Sequence, residues 1–185
     1  MIGRPDDTAL RSILRQTRSI AVVGTSANPS RPSYEIYSYL ISTDQYRVFA
    51  VNPTITDIDG TPVYSSLADL PVSPDLVNVF RRLDEVPSVL ADVLALPQRP
   101  TTLWLQQGLW HEQVGGAAAA AGMQVVVTSL MAEASSFMTF TQPQILLCGA
   151  SPDAARRASP TLMRTVAVGN DKIRRHAAEV PIPPT

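Results

Sequence analysis

Five short apolar runs, separated by segments with the periodicity of helices, constrain the fold of this chain more than any other feature. Each run is predicted to be a strand, and the runs span residues 19–24, 46–51, 76–80, 102–106 and 123–128. The helical segments are residues 7–18, a helix that starts at Ser33, residues 84–96 and residues 110–121. Strands that alternate with helices form βαβ units, which place the strands in a parallel sheet with helices on both faces. We therefore predict an α/β three-layer sandwich with a five-stranded parallel sheet.

Residues 24–34, which follow the first run, have the composition of an anion-binding loop. Gly24 ends the strand, small residues and prolines follow, and Ser33 is predicted to be the N-cap of the next helix. The first N–H groups of a helix lack partners inside it, and together with the helix dipole they attract an anion. Arg31 adds a guanidinium group, whose donors match the oxygens of a phosphate. A turn that only joined a strand to a helix would need Gly24 but not Arg31, so we predict a phosphate-binding loop.

Polar residues and glycines also follow the other predicted strands. In a parallel sheet, ligands bind beyond the carboxyl ends of the strands, near the point where the strand order reverses. Those ends are Gly24, Asn52–Pro53, Phe80–Arg81 and Gln106–Gly108. The sequence therefore predicts a Rossmann-like domain with its ligand site at this edge of the sheet.

Two common nucleotide-binding motifs are missing from the sequence. The loop lacks the second and third glycines of G-x-G-x-x-G, because Ala27 or Asn28 stands where the backbone should be bare. The second strand ends in Asn-Pro, without the acidic residue that binds a ribose hydroxyl in dinucleotide enzymes. A P-loop is excluded because no G-K-[ST] occurs and the only lysine is Lys172. An NAD(P)-binding oxidoreductase-like domain therefore stays an alternative, not the first interpretation.

Charge and residue usage exclude several other classes of protein. A formal net charge of -1 argues against nucleic-acid binding by bulk electrostatics. The chain has 1 cysteine, Cys148, and its two histidines, His111 and His176, form no recognisable metal motif. Neither a secretory signal nor an apolar run of the ~18 residues needed to span a membrane is present in the sequence. We expect a soluble, cytoplasmic protein without a metal, nucleic-acid or membrane partner.

Several motifs together resemble those of a known family. They are Gly-Thr-Ser-Ala-Asn-Pro-Ser-Arg-Pro-Ser-Tyr at 24–34, Tyr-Arg-Val-Phe-Ala-Val-Asn-Pro at 46–53, Ser-Leu-Ala-Asp-Leu-Pro at 66–71, Val-Phe-Arg-Arg at 79–82 and Leu-Trp-Leu-Gln-Gln-Gly at 103–108. In order and spacing they resemble the small stand-alone CoA-binding proteins of bacteria and archaea. These Rossmann-like domains are related to the N-terminal domain of the succinyl-CoA synthetase α subunit. The resemblance covers about residues 8–133, and it implies a protein that binds coenzyme A or an acyl-CoA.

The resemblance also implies which residues contact CoA. The residues expected at the phosphates are Gly24, Thr25, Ser26, Ala27, Asn28, Arg31 and Ser33. Those expected near the adenosine end are Asn52, Pro53 and Thr54, where Thr54 replaces a lysine that family members often carry. Those expected along the adenine and the pantetheine arm are Val79, Phe80 and Arg81, with Gln106 and Gly108 on the same rim. Phe80 is equally well explained as a core residue at a strand end, and Trp104 is predicted to be core.

The resemblance ends after the fifth strand. The family's Asp-Arg-Cys triplet is replaced by Thr128-Ser129, and no match continues beyond Glu133. We therefore predict a CoA-binding domain at residues 1–133 and an irregular, poorly ordered extension at residues 134–185, in which the apolar patch 144–148 could add a strand. A natural extension that covers the rim or a partner is one explanation. A change of reading frame in the gene is the other.

Catalysis by this chain alone is not expected. Reactions of an acyl-CoA need a positioned base or nucleophile, and the predicted rim has no histidine or cysteine. His111 is the only candidate, and its place at the start of a helix is more typical of a surface or capping residue. Besides CoA binding and the NAD(P) alternative, a ligand-free interaction module stays open, because one fold supports many functions.

Overall fold

The computed structural model describes residues 2–3, 5–106 and 108–128. The strands are β1 Ile2–Gly3, β2 Ser19–Val23, β3 Arg47–Val51, β4 Asp57–Ile58, β5 Thr61–Pro62, β6 Leu76–Val79, β7 Thr102–Leu105 and β8 Gln124–Val127. The α-helices are α1 Asp7–Gln16, α2 Pro32–Ser42, α3 Val86–Leu94 and α4 Glu112–Ala120. Six of the strands form one parallel sheet in the order β1-β8-β7-β6-β2-β3, and β4 pairs with β5 in a separate antiparallel hairpin.

The predicted Rossmann-like sheet is confirmed, with one strand more than expected. All five predicted strands are present, and each is shorter than its apolar run by one or two residues. The additional strand, β1, is only two residues long and pairs with β8 at the edge of the sheet. Two residues are too few to carry a periodic pattern, so this strand could not be predicted from the sequence.

Both faces of the sheet are covered, which explains why the strands are continuously apolar. Val23, Val77 and Leu105 point to one face, where they pack with α3 and α4. Val22 and Trp104 point to the other face, where they pack with α1 and α2. Trp104 is 0% exposed, as expected for a core residue, and its Nε1–H donates to the carbonyl of Thr128 at 3.0 Å.

The start or the cap differs from the predicted one in each of the four helices. Asp6, not Asp7 or Thr8, caps α1, because its carboxylate accepts the N–H of Ala9 at 2.8 Å. A 3₁₀ turn at residues 83–85 delays α3, and α4 begins at 112 instead of 110. In α2, Pro32 is the first helical residue, so Arg31 occupies the N-cap position and Ser33 lies inside the first turn. The prediction that Ser33 is the N-cap was wrong.

The predicted extension at 134–185, its boundary at Glu133 and the possible strand at 144–148 lie outside the described residues. Among the helices that are described, none is long and apolar enough to cross a lipid bilayer.

Candidate ligand-binding site

The strand order reverses next to β2, which lies between β3 and β6. The chain runs from β2 to β3 on one side and then returns to β6 on the other side. Where two neighbouring strands are followed by loops that run in opposite directions, a crevice opens at the carboxyl ends of the strands. This crevice is the usual ligand site of an open parallel sheet. The loop that connects β2 to α2, residues 24–31, lies at this point.

Gly24 brings this loop into contact with both neighbouring strands. Its N–H donates to the carbonyl of Val51 at 2.8 Å, and the N–H of Phe80 donates to the carbonyl of Val23 at 2.8 Å. The φ of Gly24 is +85°, and a Cβ built on it would lie 2.0 Å from the carbonyl oxygen of Phe80. Only glycine fits, because both the left-handed backbone and the close approach exclude a side chain. The loop is therefore held directly above the end of β6.

Hydrogen bonds within the loop hold its shape. The buried Thr25 hydroxyl donates to the carbonyl of Val22 at 2.6 Å. The Ser33 hydroxyl accepts the N–H of Ser26 at 3.2 Å, so it ties the loop to the first turn of α2 instead of capping the helix. The Ser26 hydroxyl accepts the N–H of Asn28 at 3.1 Å. The loop thus needs no ligand to become ordered, which lowers the entropic cost of binding one.

Asn52 joins the end of β3 to the same loop. Its Nδ2 donates to the carbonyl of Thr25 at 2.8 Å, while its Oδ1 accepts the N–H of Thr54 at 3.0 Å and the Thr54 hydroxyl at 2.8 Å. The Asn52 side chain is therefore occupied by the protein itself, and its evident role is to position the loop. Pro53, the next residue, lines a cavity.

That cavity has a volume of about 190 Å³ and lies at the ends of β2 and β3 on the α3 side of the sheet. Its walls are Val23, Val51, Pro53, Ser65, Ser66, Leu67, Arg81, Glu85, Ser88, Val89 and Asp92. Sequence reasoning found Pro53 and Arg81 but assigned none of the serines or acidic residues to the site. Ser66 and Leu67 belong to the family motif at 66–71, which implied no ligand contact for them, and the four-residue spacing of Ser88 and Asp92 on α3 by itself indicates no ligand.

Asp69 fixes the two serines in the cavity wall. Its carboxylate accepts the Ser65 hydroxyl at 2.6 Å, the Ser66 hydroxyl at 2.8 Å and the Ser66 N–H at 3.0 Å. These bonds favour the ionised form and lower the pKa of Asp69, with the Ser65 bond as the largest cause. The Ser66–Asp69 pair is also a capping box for the 3₁₀ turn at residues 67–69.

Two arginines at this edge are available to an anion. Arg31 is exposed at the start of α2, and Arg81 is half-buried in the cavity wall beside Gly24. Within residues 5–106 and 108–128, neither guanidinium forms an ion pair or hydrogen bond, whereas the neighbouring Arg82 lies within 3.6 Å of Asp84. Unpaired guanidinium groups beside a βα loop provide the positive charge that a phosphate group requires.

The remaining predicted residues lie at different depths. Val79 is buried in the core under α3, so its side chain belongs to the packing. Phe80 is half-buried and packs against the α1 and α2 side, and Ala27 is exposed in the loop. Gln106 is half-buried and donates through Nε2 to Oδ1 of Asn78 at 2.6 Å, while Gly108 is exposed in the loop after β7. The structure thus gathers most of the predicted residues at one edge, whereas their roles in binding stay predictions.

His111 lies at the start of α4. His111 occupies the N-cap position of α4, but its side chain forms no capping bond, and its Nδ1 is buried without a partner among the described residues. In the same part of the chain, no group of three or more His, Cys, Asp or Glu residues could hold a metal ion.

The parallel sheet, the reversal of strand order at β2 and the glycine turn above β6 define a Rossmann-like α/β domain. A family model described as a CoA binding domain matches residues 18–135. This chain therefore belongs to the CoA-binding domain family.

Similar proteins agree with this assignment. The uncharacterized protein YneT of Bacillus subtilis is 36% identical over 109 residues, which cover 59% of this chain and 78% of that protein. The structure of cell-free ID.343 from Thermus thermophilus is 37% identical, with a TM-score of 0.66, and the match covers 71% of this chain and 98% of the other. A hypothetical protein from Pyrococcus horikoshii has a TM-score of 0.67 at 24% identity over 72% of this chain and 93% of its own, which supports the fold alone.

Proposed function

We propose that this protein binds coenzyme A or an acyl-CoA through the loop at residues 24–31 and does not catalyse a reaction by itself. Family membership supports a CoA-binding role. The observation that supports this loop as the site is Gly24, which has no space for a side chain and lies beside Arg81, in a loop that ends at the exposed Arg31.

The phosphates are expected at the loop. The eleven-residue helix α2 begins directly after Arg31, so its dipole and its first N–H groups favour negative charge there. Arg31 is exposed at the start of α2, and Arg81 follows the end of β6, so both can contribute positive charge to this edge. Thr54 cannot replace the positive charge of the family's lysine, so binding depends more strongly on these two arginines.

The adenine is expected in the cavity beside Arg81. A volume of about 190 Å³ is several times the ~30 Å³ that a water molecule occupies, but it is smaller than the 300–1,000 Å³ of pockets that enclose a whole ligand. The cavity therefore suits one ring system of a larger molecule. Val23, Val51 and Leu67 offer apolar walls for a flat base, and Ser65 and Ser88 offer hydroxyl groups to its polar edge.

The side chains at the loop also support binding without catalysis. The Ser26 hydroxyl is engaged with the N–H of Asn28, and no basic side chain of the described chain contacts it. Such a hydroxyl lacks the adjacent base that activates a nucleophile. Ser26 therefore serves as a hydrogen-bonding group for a phosphate.

Thermal unfolding with CoA, acetyl-CoA, NAD⁺ or NADP⁺ tests the proposal, with Arg31→Ala as the variant. A ligand at one hundred times its dissociation constant adds about 2.7 kcal/mol to the free energy of unfolding, which raises the melting temperature by roughly 8 °C in a domain of this size. We expect this rise with CoA or acetyl-CoA. Arg31→Ala should weaken CoA binding about tenfold, because it removes a charged hydrogen bond to a phosphate.

Arg99→Ala is the matched control, since Arg99 is an exposed arginine in the loop before β7, at the opposite edge of the sheet. It should bind CoA as the natural chain does. A rise with NAD⁺ or NADP⁺ only would refute the proposal in favour of a dinucleotide site. An unchanged melting temperature with all four ligands would favour an interaction module.

A further inference from the structure

Asn78 is a polar residue in the centre of the sheet with an incomplete set of partners. It is 0% exposed and lies on β6 between Val22 of β2 and Trp104 of β7, both of which are fully buried and apolar on this side. Its Oδ1 accepts Nε2–H of Gln106 at 2.6 Å, whereas its Nδ2 has no partner among the described residues. A buried amide donor without a partner lowers stability, so its presence among apolar neighbours points to an acceptor supplied from elsewhere.

The position of Asn78 relates it to the ligand edge. Two residues further along the chain, just past the end of β6, the carbonyl oxygen of Phe80 lies directly under Gly24. On the other side, Gln106 reaches Asn78 from the end of β7 and is itself half-buried. Asn78 is therefore located just below the carboxyl edge of the sheet, between the loop at residues 24–31 and Gln106.

The Asn78–Gln106 pair has the hydrogen-bonding pattern of a site for an amide. The single N–H···O bond between the two side-chain amides leaves one nitrogen, Nδ2 of Asn78, without an acceptor and one oxygen, Oε1 of Gln106, without a donor. Turning both amides over exchanges the roles of the atoms but again leaves one nitrogen and one oxygen without a partner. A secondary amide is the complement, because it carries one C=O and one N–H. The pantetheine arm of CoA contains secondary amides, and its nucleotide half contains none.

We propose that Asn78 and Gln106 form a subsite for an amide of the pantetheine arm. This inference rests on the proposed CoA-binding function and extends it from the nucleotide to the arm. Gln106 covers Asn78 from the rim, and it shifts so that the amide oxygen of the ligand reaches Nδ2. The site then recognises CoA along its length, with phosphates at Arg31 and the arm over the ends of β6 and β7.

Calorimetric titration of the full chain tests this with two probes: CoA, and 3′-phosphoadenosine 5′-diphosphate, which is the nucleotide half alone. Asn78→Leu keeps the branched shape of the side chain, although it adds volume, and it removes the donor in surroundings that are already apolar. We expect its dissociation constant for CoA to rise about tenfold, with no change for the nucleotide half. Gln106→Met, at the half-buried rim, should likewise weaken the binding of CoA but not of the nucleotide half. It replaces Asn78→Leu in the test if Asn78→Leu does not fold.

Thr17→Val is the control, because Thr17 is a buried hydroxyl just before β2, at the opposite edge of the sheet. It should leave both dissociation constants unchanged. If Asn78→Leu weakens the binding of both probes equally, Asn78 supports the phosphate loop. If it weakens the binding of neither, a water molecule or the packing satisfies Nδ2 of Asn78. Either result overturns the inference while CoA binding stands. If the natural chain binds neither probe, the proposed function itself fails and the subsite fails with it.

Discussion

Replacing Gly24 with alanine should damage both the fold and the binding site, and the structure allows the size of the effect to be worked out. At a φ of +85°, an alanine adopts the left-handed conformation at a cost of about 1–2 kcal/mol. Its Cβ would also lie 2.0 Å from the carbonyl oxygen of Phe80, which is backbone and has to move. That movement disturbs the bonds from Gly24 to Val51 and from Phe80 to Val23, each with a net contribution of about 1 kcal/mol.

The expected total for Gly24→Ala is therefore a loss of about 3–4 kcal/mol in the free energy of unfolding. Gly122→Ala separates the two causes, because Gly122 has a φ of +84° but no atom within 4 Å of its added Cβ. It should lose only the conformational part, about 1–2 kcal/mol. Urea unfolding of both variants measures the difference, and titration with CoA should show binding weakened only in Gly24→Ala. Equal stability of the two variants would refute the argument from close approach.

Two further predictions concern the residues that shape the site. Asn52→Ala removes the hydrogen bond to the carbonyl of Thr25 and the two hydrogen bonds from Thr54, so urea unfolding should show a loss of about 2 kcal/mol in the free energy of unfolding. CoA should also bind more weakly, because the loop is released. Unaltered CoA binding would show that Asn52 does not position the loop. The pKa of Asp69 is lower in the folded protein than its ordinary value of 3.8. The ionised carboxylate therefore contributes its full stabilisation at pH values above 3.8, and this stabilisation is lost as the pH falls through the lower pKa of the folded protein. Melting curves from pH 7 to pH 3 should therefore show Asp69→Asn less stable than the natural chain near neutral pH, with a difference that shrinks below about pH 4; a difference that grows in acid would contradict this sign.

The sheet was predictable because burial on both faces makes each strand an unbroken apolar run, as in Ile20–Val23. The exception, β1, is an edge strand of two residues, and its pairing with β8 joins the two ends of the described chain. The N-cap of α2 was predicted two positions too late, at Ser33 instead of Arg31. Pro32 tolerates the first helical position, so the helix begins before Ser33, whose hydroxyl is then available to the loop.

The predicted part of the site came from segments that are contiguous in sequence, above all the loop at residues 24–31. The unpredicted part is assembled by the fold from separate segments. Ser65, Ser88 and Asp92 meet in one cavity only because α3 packs beside β6 and the 3₁₀ turn at residues 67–69. Asn78 appeared in the sequence as a single polar residue within a strand, and its partner Gln106 follows 28 residues later.

Calorimetric titration of the full chain with CoA and with NAD⁺ shows whether the loop at residues 24–31 binds CoA. The same titrations are made with Arg31→Ala. We expect saturable binding of one CoA per chain, binding about ten times weaker in Arg31→Ala, and no heat from NAD⁺. Saturable binding of NAD⁺ without CoA binding, or CoA binding that Arg31→Ala leaves unchanged, would contradict it.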